Sequence, residues 1–349
     1  SWAEDSVERT GESVVAYPGP WTQLVTRAIP QTFGDQGPMV SAGIPAVTIS
    51  GRPDSPPQAG VTVDGELLEN AGVAVADLIA SLDETRDPPA PAVEVEVGGQ
   101  ILGPTLARAI LLILALPVLV AGADVVSRMR RAGVPRVPGL LGLGRRALPF
   151  AVLAAVAYGW ALVGMFPPSA AGAPPLPGDM SFGATSGLGV AVAIGIAIGV
   201  FAVMRSRVQV AAPASEAGVA AVALSVLLLV AWVLEPFSLI LLLPAAHAAL
   251  LATAVTRRWQ VAALALLAIV TPLAASAAIA DRLDSNPAFA VWYLVATTAD
   301  GSRGAVGPLI TIAALGCIAA LAGLAVLRAR KSLPSRAPDS RARLRAERA

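Results

Sequence analysis

What most constrains this chain is a series of long apolar runs that begins near residue 102, each followed by a short polar connection. The runs are about 18 to 24 residues long and nearly uncharged, which matches the ~20 residues a helix needs to cross ~30 Å of hydrocarbon. Seven are expected to span, at roughly 102 to 126, 147 to 167, 185 to 204, 217 to 235, 237 to 255, 259 to 280 and 305 to 327. In lipid every backbone N–H and C=O has to find its partner within the protein, so these runs are read as helices. The expected fold class is a mainly α-helical polytopic membrane protein.

Charge sets the expected orientation. Across 349 residues there are 25 basic and 24 acidic side chains, but the two parts of the chain differ sharply. Residues 1–100 hold 4 arginines and 15 carboxylates, a net −11, and the remainder is +12. The connections after the first, third and fifth runs, together with the tail, carry 18 Arg and Lys residues, whereas the alternate connections carry 2, Arg282 and Arg303. The positive-inside bias then puts the tail in the cytoplasm and residues 1–100 outside the plasma membrane. Basic residues that follow helix ends in this way call for no nucleic-acid partner. Cys317 is the single cysteine, which excludes a disulfide framework or a thiolate metal cluster. Export of residues 1–100 ahead of the first run requires a signal or anchor, so a hydrophobic segment before Ser1 is expected, for about eight spans in a longer protein. Richness in Ala, Arg, Gly and Pro with one lysine suits a high-GC bacterium.

Few side chains within the runs carry chemistry. His247, the only histidine, lies in the fifth run, and an intramembrane ionisable group is a functional candidate by default. The competing reading is an imidazole bonded to the hydroxyl or carbonyl of a neighbouring helix. Gly195 and Gly199 form a GxxxG in the third run and are read as a close helix-packing contact. Pro244 and Pro272 are expected to kink their helices, and Trp160, Trp232 and Trp259 to anchor at the interface. The tail, from Arg328, is rich in arginine and lacks apolar periodicity; it is expected to be a disordered arm against anionic headgroups.

Residues 1–100 read differently. The expected elements are an extended stretch at Ser13 to Tyr17, a helix at Trp21 to Ala28, a short helix at Gln36 to Ala42, a strand at Ala46 to Ser50 and an amphipathic helix at about Asp64 to Leu82. Val93 to Val97 alternates with period two before the first run. Strand and helix in alternation point to α/β. Few large apolar residues are available for a core, which implies a piece of a larger domain.

Within this part the segment Gly34 to Ser50 reads Gly-Asp-Gln-Gly-Pro-Met-Val-Ser-Ala-Gly-Ile-Pro-Ala-Val-Thr-Ile-Ser. It resembles the last metal-site segment of the co-catalytic zinc aminopeptidases, metallopeptidase family twenty-eight, over roughly residues 10 to 85. The resemblance implies a truncated α/β aminopeptidase-like segment, with Gly43, Ile44, Pro45 and Ala46 leading into a core strand. It also places Gln36, next to Asp35, where the family has its final histidine ligand. An amide oxygen is a weak zinc donor, so the resemblance implies a degenerate metal site. No zinc or other cofactor is expected to be held by these residues alone, whereas zinc remains open for a longer protein. Three readings of Gln36 stand: a pseudoenzyme, an altered-site peptidase, and chance resemblance.

The chain therefore divides, by expectation, into an exported remnant at 1–90, a linker at 91–101, a seven-span domain at 102–327 and a basic tail at 328–349. One expected function is a membrane-anchored, peptidase-like hydrolase or its inactive relative. The other is a transporter or membrane scaffold whose external part binds a peptide or protein partner, the lipid bilayer being common to both.

Overall fold

A computed structural model describes residues 19–29, 65–83, 95–97, 100–164, 213–255, 257–299 and 306–331, with positions 39, 176, 194–196 and 198 besides. Nine helices follow in order among these residues: α1 (Pro20–Ala28), α2 (Gly65–Asp83), α3 (Pro104–Arg131), α4 (Val137–Leu162), α5 (Pro213–Leu234), α6 (Leu239–Ala252), α7 (Arg258–Arg282), α8 (Pro287–Ala299) and α9 (Val306–Lys331). A single 3-10 turn, Pro236–Ser238, leads into α6, and two three-residue strands, β1 (Val95–Val97) and β2 (Gln100–Leu102), pair antiparallel just before α3.

Among the described residues four helices are long and apolar enough to cross a membrane: Pro104–Arg131, Val137–Leu162, Ser215–Leu234 and Trp259–Arg282. Three further apolar helices are shorter over their described residues, Pro236–Ala252, Pro287–Ala299 and Leu309–Gly323. Of the seven expected runs, the first, second, fourth and sixth are matched by these four helices. The expected third run, 185 to 204, lies outside the described residues except for helical 194–196 and 198. The fifth is shorter than expected: its last turn tightens, the Thr253 and Ala254 N–H groups donating to the Leu250 and Leu251 carbonyls at 3.0 and 2.9 Å, and the helix stops at Ala252.

The bundle wears its apolar side chains on both faces. On α3, Ala107, Leu111, Ala115, Val118 and Gly122 are buried at helical spacing, while Leu106, Ile110, Ile113, Leu114 and Val120 stand exposed on the opposite face. The same exposure recurs on α7 at Leu266, Leu267, Ile269, Val270 and Leu273. A protein in water could not display so much apolar surface, but lipid is as apolar as these side chains. At the centre stands α6, apolar all round, packed against α3, α5, α7 and α9. Its Ala245, Ala246, Ala248, Ala249 and Ala252 are all buried and let its neighbours approach closely.

Cross-helix contacts fix the two ends of the bundle. At one end Arg128, Arg130, Arg131, Arg136, Arg145, Arg146 and Arg257 gather around the α3–α4 turn and the start of α5, where the Ser215 hydroxyl donates to the Pro135 carbonyl. At the other end lie the β1–β2 hairpin, the α5–α6 turn, the end of α7 and α8. There the Trp232 Nε1–H donates to the Arg108 carbonyl at 3.0 Å, tying α5 to α3.

Residues 1–100 do not form an α/β layer among their described residues. They contribute α1, α2, β1 and the first residue of β2, and α1 packs directly on the helical bundle. Its Trp21 Nε1–H donates to the Ala274 carbonyl of α7 at 3.2 Å, and its Val25 and Ala28 are buried. The expected α/β arrangement is corrected accordingly: α1 is buried against α7, α6 and the 3-10 turn, with only the short β1–β2 hairpin beside it. The motif residues Asp35, Gln36, Gly43, Ile44, Pro45 and Ala46 lie outside the described residues, as does Gly199.

Candidate functional site

The most site-like feature is a cavity of about 380 Å³ between α4, α6, α8 and α9, at the end where α1 docks. Two helical stripes line most of it. On α4 these are Phe150, Leu153, Ala154, Ala157 and Tyr158, and on α8 Val291, Leu294, Val295, Thr298 and Ala299. Each set follows i, i+3, i+4, i+7, i+8, the spacing of one helix face. Leu241 and Leu242 of α6 and Thr311, Ile312 and Leu315 of α9 add to the wall, and Ala28 and Ile29, at the end of α1, border it. A mostly apolar chamber with a few polar groups is the usual make-up of a small-molecule pocket, whose volumes run from ~300 to ~1,000 Å³.

The existence of α8 is what makes the chamber. Sequence reading passed residues 281 to 304 over as a loop, since thirteen apolar residues cannot span. The chain reverses after α7 through Asp284, whose φ of +48° is in the left-handed region that Asp tolerates. Asn286 then caps the new helix, its Oδ1 accepting from the Phe289 N–H at 2.9 Å, and Pro287 supplies the first residue. Tyr293 and Thr297 of α8 are fully buried, and the Thr297 hydroxyl bonds the Tyr293 carbonyl at 2.9 Å.

Glu235 is the only charged side chain among the described residues that line the cavity. It sits at the sharp α5–α6 turn, where its carbonyl accepts both the N–H and the hydroxyl of Ser238, at 3.0 and 2.7 Å. Among the described residues neither the Glu235 carboxylate nor the Tyr158 hydroxyl has a hydrogen-bond partner, whereas Thr298 and Thr311 are partnered.

A second polar feature lies at the arginine end. Arg146 of α4 donates through Nε to the Glu216 carboxylate of α5, with side-chain exposures of 23% and 4%. Room for the pair comes from glycine. A methyl group on Gly323 of α9 would lie 2.7 Å from Arg146 Nη1, and one on Gly142 2.9 Å from Glu216 Oε2. By sequence Arg146 falls in the connection ahead of the run at 147, and Glu216 just ahead of the run at 217. Val137 and Pro138 start the helix earlier and carry Arg145 and Arg146 inside it.

The intramembrane candidate His247 belongs to neither feature. It is half-buried on α6, and its Nδ1–H donates to the Leu243 carbonyl of its own helix at 2.8 Å rather than to a neighbour. Gly195 has no described atom within 4 Å of the place a methyl would take. The close approaches fall instead at Gly122, Gly139, Gly142, Gly218, Gly316 and Gly323, isolated glycines that no GxxxG search selects. Arg108, inside the expected first span, is exposed one and a half turns into α3 and went uncounted in the charge pattern.

Comparison with known protein families, curated proteins and solved structures finds no match. The resemblance to zinc aminopeptidases is therefore corrected: no family model matches, and the described part of residues 1–100 carries no aminopeptidase-like layer. Nor do three or more His, Cys, Asp or Glu side chains gather anywhere among the described residues.

Proposed function

We propose that this chain is a multi-pass membrane protein that holds an apolar molecule in the chamber between α4, α6, α8 and α9, in the manner of a transporter or a membrane scaffold. The chamber itself carries this reading: two complementary apolar stripes, on α4 and α8, face one volume among the described residues. An open, apolar concavity of about 380 Å³ falls within the size range of small-molecule sites. Arginine placement supports an orientation with the α1 end outside the plasma membrane and the arginine end in the cytoplasm. The chamber then opens at the outer leaflet, and the basic tail from Arg328 meets anionic headgroups inside. Native mass spectrometry of the full chain released from lipid nanodiscs tests the reading. The expected result is a retained apolar adduct that disappears in Ala154→Trp, which fills the chamber; an identical adduct pattern in both proteins would overturn it.

A specific observation favours a second, compatible role for the outer part. Leu68 and Ile79 of α2 are 63% and 61% exposed, an apolar face of the kind that engages a partner protein. Site-specific photo-crosslinkers at 68 and 79 in intact cells are expected to trap one discrete protein species, and a uniform lipid-only adduct would count against it.

A further inference from the structure

The polar groups of the chamber specify the head of its occupant, an inference that rests on the ligand-holding reading above. The geometry points to a single-chain amphiphile with a cationic, hydrogen-donating head, such as a long-chain primary amine, its chain lying between α4 and α8 and its head at Glu235. Size is the first argument. About 380 Å³ is near the small end of ligand pockets, suited to one flexible chain rather than to a two-chain lipid.

Charge is the second. Glu235 brings a negative charge to the chamber, and no described cation lines it. A carboxylate beside apolar walls is attracted to a positive head and repels a fatty-acid or phosphate head, more strongly than it would in open water. The hydrogen-bond inventory agrees. An ionised carboxylate only accepts, and the Ser238 hydroxyl already donates to the Glu235 carbonyl. Tyr158 accepts as well as donates, and neither it nor the Glu235 carboxylate has a partner among the described residues. The Glu235 carboxylate thus lacks donors, which an ammonium supplies three at a time, and the Tyr158 oxygen can accept one of them.

The test compares hexadecylamine with hexadecanoic acid, each carrying a diazirine on the chain, on the full chain in phosphatidylcholine nanodiscs. Labelled peptides are mapped by mass spectrometry. For the wild type the amine should label α4 and α8 about tenfold more than the acid, the ratio that one charge-assisted hydrogen bond supplies. Glu235→Gln should bring the two probes to parity, and Glu235→Asp, which keeps the charge, should retain the preference. Equal labelling of wild type by both probes, abolished for both in Ala154→Trp, would overturn the choice of head while leaving the chamber as a binding site. Labelling that Ala154→Trp does not reduce, or none at all, would overturn both.

Discussion

Arg146 and Glu216, 70 residues apart in the chain, form an ion pair that joins α4 to α5 inside the bundle, with Gly142 and Gly323 leaving the space it occupies. The two partners are not equally buried, and that asymmetry governs the outcome of breaking them. Arg146→Met strands the nearly inaccessible Glu216 carboxylate and should cost about 3–5 kcal/mol, the range for an uncompensated buried charge. Glu216→Gln leaves a partly exposed guanidinium that can reach towards water, so its cost should be distinctly smaller. Thermal unfolding in detergent, followed by size-exclusion fluorescence, reads the order; equal losses would show that burial does not set it. The double variant Arg146→Met/Glu216→Leu should recover most of the loss.

Close approach at glycine gives a contrast within one helix. At Gly139 an added methyl would meet the Ser215 carbonyl at 2.5 Å, and backbone cannot step aside as a side-chain tip can. Gly139→Ala should destabilise by about 1–3 kcal/mol through overpacking. Gly144 and Gly159 have nothing within 4 Å, and alanine there should be neutral or slightly stabilising, since it favours the helix by up to ~1 kcal/mol. Melting temperatures of the three variants in one detergent check the ranking.

Loss of the cap on α8 should loosen the chamber from a distance. Asn286→Ala removes the acceptor for the Phe289 N–H and should cost about 1 kcal/mol. Hydrogen exchange is expected to quicken across Pro287–Ala299 and not across α3. Uniform change over both helices would mean that α8 does not open on its own.

Orientation is open to a labelling test because the chain has one thiol, Cys317, and it is buried. In a Cys317→Ala background, Glu69→Cys should react with an impermeant maleimide on intact cells, and Arg130→Cys only after permeabilisation. Reaction of both from the same side would sink the proposed topology.

Run length and arginine spacing made the helical, membrane-type character of the chain legible, since both are local properties of the sequence. The chamber was not, because its two walls come from α4 and α8, and α8 is too short to register in a search for spans. Glu216 and Arg146 escaped for a related reason: each lies at the margin of an apolar run, and only the fold reveals that the margins meet. The α/β reading failed because alternating strand and helix signals are local, whereas α1 is held by the bundle, its Trp21 on the Ala274 carbonyl of α7. His247 was conspicuous as the sole imidazole, yet its described hydrogen bond stays within one turn of α6.

The seat of α1 follows from arithmetic between neighbours. The 3-10 turn and α6 together hold 17 residues and α7 holds 25, so α7 overtops its partner by about 10 Å at the end where α1 docks, the thickness of one helix. Trp21 sits at the foot of that step, on Ala274, and Ile29 near its top, beside Leu283. Removing about two turns from the α1-facing end of α7 would level the step and leave the roof over the chamber with nothing to lean on.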